Sequence, residues 1–131
     1  MQLPVTAMVA AGCAILLLIL AIDTIRHRLR AKVAFGDGGD ARLTSASRAH
    51  GNLAEHAPIV LIMLGLLEFN NADHAVLCWI GVIFLLGRIA HAVGLYTPSA
   101  PGKAPIPRQI GVVMTFGTIA ALAAMLLVRL V

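Results

Sequence analysis

Charge is scarce in this chain. Asp, Glu, Lys and Arg make up 12% of its 131 residues, against about 25% in an ordinary soluble domain. With 60% hydrophobic residues and a mean hydropathy of +0.92, this argues against a soluble globular fold. It also excludes disorder, which needs low hydrophobicity and high charge. Aromatic residues are few, 5% with one Trp and one Tyr. No aromatic residues interleave with the basic ones and no recognition element is visible, so the net charge of +4 is not read as a nucleic-acid surface. There are two cysteines, Cys13 and Cys78. Both lie in apolar runs, where a free thiol behaves as a small hydrophobe, so neither a disulfide framework nor a metal set is expected. The glycine-rich Gly36-Asp37-Gly38-Gly39 lacks a following Gly-Lys-Ser/Thr and no strand precedes it, which excludes a phosphate loop.

What is present is length in apolar runs. A bilayer-spanning helix needs ~20 mainly apolar residues. Four such runs stand out, at about 3–25, 46–69, 72–95 and 107–131. None alternates in polarity, and each is too long for a barrel strand. The first is too long for a signal-peptide core and lacks a basic stretch before it, so it reads as a retained helix. These four runs predict an all-α membrane protein, a single domain over 1–131 built as an up-down bundle of four transmembrane helices. What remains is enough for short loops, so any chemistry must use residues near the membrane.

Loop charges orient the bundle. Arg26, Arg28, Arg30, Lys32, Arg42 and Arg48 surround the first loop, and Lys103 and Arg108 the third. The second loop carries Glu68, Asn70, Asn71 and Asp73 and no Lys or Arg. Basic loops stay in the cytoplasm. Loops 26–48 and 96–107 are therefore expected inside and both termini outside, with Arg129 the one exception. Glycines and aspartates break the first loop. Pro98, Pro101, Pro105 and Pro107 keep the third from continuing as helix.

Polar residues inside the spans are the informative ones, because ionisable groups there cost ~2.5–3.5 kcal/mol each on insertion scales and usually face the bundle interior. Arg48, Asn52 and Glu55 stand at i, i+4 and i+7 and share one helix face, with Pro58 following. Arg88 and His91 share a face of the third span, and Tyr96 ends it. In an up-down bundle these residues, with Arg26 or Arg28 and Arg108, fall at one depth near the cytoplasmic side. A site so rich in arginine is expected to hold an anion, because guanidinium forks bind carboxylates bidentately. The plainer readings are topology anchors and lipid-phosphate contacts for Arg26, Arg28, Arg30 and Lys32, an internal ion pair for Arg48 and Glu55, snorkelling for Arg88, and packing for His91. Asp23 would pair with Arg26, and Glu68 would end the second span at the outer surface.

Arg48-Ala49-His50-Gly51-Asn52-Leu53-Ala54-Glu55-His56-Ala57-Pro58 resembles the signature of the MAPEG family, the membrane-associated proteins in eicosanoid and glutathione metabolism. Gly87-Arg88-Ile89-Ala90-His91 resembles its third-helix motif, and Ala104-Pro105-Ile106-Pro107-Arg108 the opening of its fourth helix. The likeness covers nearly the whole chain and is nearest to the small bacterial branch, which implies an inner-membrane location. It implies a homotrimer with glutathione as co-substrate, bound between subunits at a cytoplasm-facing site. By the same resemblance Arg48 would hold a carboxylate, Glu55 the γ-glutamyl amine and Asn52 the peptide. His50 would buttress the motif or reach the tripeptide. Arg26 or Arg28 would stand in for the first-helix arginine, Arg88 and His91 would line the site, and Arg108, with Tyr96, would be catalytic. One position departs: the tyrosine that several members carry four residues after the histidine is Leu95 here, and Tyr96 is turned by ~100° from it on a regular helix.

The function this implies is a glutathione transferase or peroxidase acting on lipophilic electrophiles or hydroperoxides. Its rivals are a non-catalytic glutathione- or lipid-binding protein of the same fold, a small proton-coupled transporter using Glu55, and a haem bundle using His50, His56 and His91.

Overall fold

The structure, a computed structural model, describes residues 2–100 and 102–130. Four helices follow one another: α1 (Pro4–Ala31), α2 (Ala41–Phe69), α3 (His74–Tyr96) and α4 (Ile106–Leu130). No strand occurs among the described residues. All four helices are long and apolar enough to cross a membrane. Pro101 and Val131, assigned from the sequence to the third loop and the last span, lie outside the described residues.

The helices pack in the order expected of short connections. α1 lies against α2, α3 against α4, and α2 touches both α3 and α4; α1 and α4 do not meet among the described residues. The core between them is mostly aliphatic, with Val9, Leu43, Val60, Leu64, Leu67, Leu77 and Leu122 sealed from solvent together with one aromatic residue, Phe84. The outer faces are also apolar, with Ile15, Leu18, Ile62, Leu86, Val113 and Phe116 exposed. An apolar exterior suits a bilayer, where lipid replaces water around the bundle.

Two helix ends lie beyond the hydropathy limits. α1 runs on through Arg26, Arg28 and Arg30 to Ala31, and α2 starts at Ala41. The basic stretch is therefore mostly helix, and the loop between α1 and α2 shrinks to residues 32–40. Asp40 starts α2 by accepting from the backbone N–H groups of Arg42 (2.8 Å) and Leu43 (3.0 Å), satisfying donors a helix start leaves free. These bonds, Leu43 first, hold its carboxyl below the ordinary value of 3.8.

Glu68 stands at the end of the second span, beside the start of α1, but its side chain does not face outward. It is buried and caps α1 from α2. Its carboxylate accepts from the Val5 N–H (2.8 Å), the Thr6 N–H (2.8 Å) and the Thr6 hydroxyl (2.7 Å). The residue before α1, Leu3, offers no capping side chain, so the orphan N–H groups are met by a residue 63 positions away. His74 Nε2 lies 3.1 Å from the same carboxylate.

α3 and α4 approach closely through glycine. A Cβ on Gly111 would stand 2.6 Å from the Gly87 carbonyl oxygen and from His91 Cβ. A Cβ on Gly94 would run into the Arg108 backbone. Small residues that let backbones approach are how membrane helices pack where no hydrophobic effect drives them together. The contact sets the start of α4, and hence Arg108, against the end of α3.

Candidate functional site

Arg88 is the centre of the polar cluster. It projects from α3 into the bundle and is 3% exposed. Its guanidinium donates to Asn52 Oδ1 of α2, to Thr115 Oγ1 of α4, and to the Gly111 carbonyl of α4 at 3.2 Å. Thr115 in turn donates to the same carbonyl at 2.8 Å. One cation thus joins three helices, and no carboxylate pairs with it among the described residues. Its Nε has no partner. A guanidinium only donates, so Asn52 must accept with its oxygen, and its amide N–H donors are left to point away from Arg88.

Next to this anchor, His91 is buried against α4 at Gly111. His56 Nδ1 lies 2.7 Å from the Asn52 carbonyl oxygen, and its ring stands 6.2 Å from that of Phe116. His50 and Asn52 are half-buried, while Arg48 and Glu55 are exposed. The polar face of α2 therefore turns outward at Arg48 and Glu55, not inward as expected, and these two form no ion pair. Of the three, Asn52 is the one that meets Arg88.

The first-helix arginines separate clearly. Arg28 donates to the carbonyls of Ala34 (3.1 Å) and Gly36 (3.0 Å), closing the loop over itself. It lines a groove of about 290 Å³ with Asp37, Thr44, Ser47 and Arg48. Arg26 is exposed and is not part of that groove. Asp37 at the rim accepts from the Gly39 N–H (3.2 Å) and the Thr44 hydroxyl (2.9 Å), which lower its carboxyl below the ordinary 3.8.

Arg108 is exposed at the start of α4 and opens onto a groove of about 720 Å³ with Ser99, Lys103, Gln109 and Val112. Tyr96 does not join it. Its hydroxyl donates to Asp23 Oδ2 of α1 at 2.6 Å, on a different groove. The extra residue that places the tyrosine at 96 turns it toward α1 and away from α4. Asp23 correspondingly pairs with Tyr96 and His27 (3.7 Å), not with Arg26.

The structure brings together Asn52, Arg88 and His91, and separately Arg28 and Arg48. Arg48, Asn52 and Glu55 share a helix face by spacing, and Arg108 stands at the same end of the bundle. Thr115, which completes the Arg88 anchor, carried no signal in the sequence, since one threonine in an apolar span is ordinary. Cys13 and Cys78 are free, in the interior and half-buried. Among the described residues no three His, Cys, Asp or Glu side chains gather as metal ligands.

The described residues thus form a bundle of four helices of membrane-spanning length that meet around the buried Arg88 and its partner Asn52, with further arginines at one end. The MAPEG family profile matches residues 6–128, and the chain belongs to that family. Two curated relatives, each called inner membrane protein YecN and found in two strains of Escherichia coli, are 37% identical to it over 92 residues, 70% of this chain and 70% of theirs. No solved structure matches it.

Proposed function

We propose that this protein is a glutathione-dependent enzyme of the bacterial inner membrane, a glutathione transferase or peroxidase for lipophilic electrophiles or hydroperoxides. The observation that carries the reading is Asn52 held by Arg88 on the helix face that also bears Arg48 and Glu55. In this arrangement Asn52 offers N–H donors to a peptide carbonyl, Arg48 a fork for a carboxylate, and Glu55 an acceptor for an ammonium. Together these are the three polar groups of a γ-glutamyl tripeptide. Arg28 and His50 flank that face, and Arg88 and His91 support it from below.

The second subunit follows from the same face. Arg48 and Glu55 are exposed on a helix that crosses the membrane, and ionisable groups facing lipid are costly. A homotrimer that lays these residues against a neighbour removes that cost and closes the site. The basic residues of both loops lie at one end of the bundle, which favours a cytoplasmic site and termini outside.

Chemically, a free thiol has a pKa near ~8.5 and reacts as its thiolate. The Arg108 guanidinium favours the thiolate when the sulfur lies beside it, and the proton passes to water. The thiolate then forms a C–S bond to the electrophilic carbon as its leaving group departs. With a hydroperoxide it takes the terminal oxygen, giving an alcohol and a sulfenic acid, which a second glutathione converts to disulfide and water. Fixing the tripeptide along α2 supplies the orientation term of catalysis.

Calorimetry on the purified protein tests the reading. Glutathione should bind at millimolar concentration or tighter, and Arg48→Ala should weaken it ~10–100-fold, the equivalent of one charged hydrogen-bonded pair at ~1.5–3 kcal/mol. An absence of binding defeats it. The attachment of Tyr96 to Asp23 favours a second reading, in which the protein binds glutathione without turning it over. That reading predicts binding with no conjugation of chlorodinitrobenzene and no loss of hydroperoxide.

A further inference from the structure

Where α1 ends and α2 begins, a groove of about 620 Å³ opens between these helices and the last turn of α3. It shares no residue with the grooves of Arg28, Arg48 and Arg108. Its polar wall is Asp23, His27 and Arg30 of α1, Arg42 and Ser45 of α2, and Tyr96 of α3. Its one acid is already engaged, by the Tyr96 hydroxyl on one oxygen and by His27 near the other. Arg30 and Arg42 have no carboxylate partner among the described residues. Arg42 stands in the first turn of α2, where the positive end of the helix dipole disfavours a cation. Arg30 brings a second positive charge to the same groove. Asp40, which caps that turn, interacts electrostatically with Arg42 and His27 and, with Asp23, offsets much of this charge, but neither guanidinium has a carboxylate at ion-pair distance among the described residues, so both forks can hydrogen-bond an anion.

A phosphate group fits this wall better than a carboxylate. It has enough acceptor oxygens to meet two guanidinium forks and the Ser45 hydroxyl together, where a carboxylate has two. The groove also continues into an apolar stripe. Asp23, His27 and Arg30 follow Ile15 and Ile19 at helical spacing on α1, and both isoleucines are exposed. Basic pockets between helix ends, opening onto an apolar face, are where anionic headgroups settle.

We propose that this groove binds a phosphate group. The group is carried either by an anionic phospholipid whose chains lie along Ile15 and Ile19, or by a free phosphate ligand. The site is separate from the one proposed for glutathione.

The test uses the full chain in nanodiscs and in detergent. Native mass spectrometry of protein released from nanodiscs of mixed phosphatidylglycerol and phosphatidylcholine should show phosphatidylglycerol retained. Arg30→Gln with Arg42→Gln should reduce that retention at least tenfold, whereas Lys32→Gln with Lys103→Gln, which removes equal charge at the same end but outside the groove, should change it less than twofold. Saturable binding of inorganic phosphate in lipid-free detergent, lost in the arginine pair, assigns the free-ligand source instead. Circular dichroism confirms that each variant is folded, and Ser45→Ala, which leaves every charge in place, should weaken whichever binding is seen. Equal losses in the arginine and lysine pairs, or no specific binding of either probe, overturn the proposal.

Discussion

Replacing Glu68 removes the cap of the neighbouring helix α1, and the cost can be worked from its contacts. Its carboxylate satisfies two backbone N–H groups in the first turn of α1 and the Thr6 hydroxyl, all at 2.7–2.8 Å. Losing an N-cap costs ~0.5–2 kcal/mol, and interhelical side-chain hydrogen bonds in membranes average ~0.6 kcal/mol. Glu68→Ala loses both kinds, since Leu3 offers no substitute cap, and should destabilise the bundle by ~1–2.5 kcal/mol on these scales. Glu68→Gln keeps one acceptor oxygen but turns an amide donor toward another donor, so roughly half the loss remains. Thr6→Val removes only the hydroxyl bond, ~0.6 kcal/mol, and adds nothing once Glu68 is gone. Unfolding in mixed detergent micelles, followed by circular dichroism, measures each term. A Glu68→Ala loss below ~0.5 kcal/mol, the ordinary range for a surface substitution, refutes the capping argument. So does strict additivity with Thr6→Val.

Three further outcomes follow from the packing and the polar cluster. Gly111→Ala places a methyl 2.6 Å from the Gly87 carbonyl and His91 Cβ and should destabilise by ~1–3 kcal/mol through overpacking. Gly117→Ala, with no atom within 4 Å of the added carbon, should be near neutral in the same unfolding assay. Asn52→Asp keeps an acceptor for Arg88 and adds a counter-charge, so stability should hold, while glutathione affinity falls ~10-fold for one lost donor; calorimetry reads it. The Asp40 carboxyl is held below 3.8 in the folded chain, so its contribution is present above the unfolded value and is lost as pH falls through the folded one. The protection of the Arg42 and Leu43 amides relative to intrinsic exchange at the same pH should fall on acidification below that value, and in Asp40→Ala it should already be low at neutral pH.

The four helices were legible because twenty-residue apolar runs have few other uses, but their ends were not. Arg26, Arg28 and Arg30 read as loop charges, yet Arg, Leu and Ala are good helix formers, and hydropathy is blind to a helix that leaves the membrane. In the candidate site, Asn52 and Arg88 were visible as polar residues at membrane depth, and Tyr96 as a residue turned one step from the family position. Their partners were not. Thr115 and the Gly111 carbonyl bind Arg88 from another helix, and Glu68 finds Val5 from 63 residues away. Such pairings depend on which faces meet, and local spacing does not encode that. The outward turn of Arg48 and Glu55 was missed for a related reason. The rule that polar groups face the interior applies to an assembled protein, and in the proposed trimer this face would be shared between subunits while exposed on one chain.

The most direct test of the central claim is an experimental structure of the membrane-embedded protein with glutathione bound. The account predicts the tripeptide between neighbouring subunits, its polar groups on Arg48, Asn52 and Glu55 and its sulfur toward Arg108. A structure in which saturating glutathione leaves that face of α2 bare, or in which lipid covers it, contradicts the account.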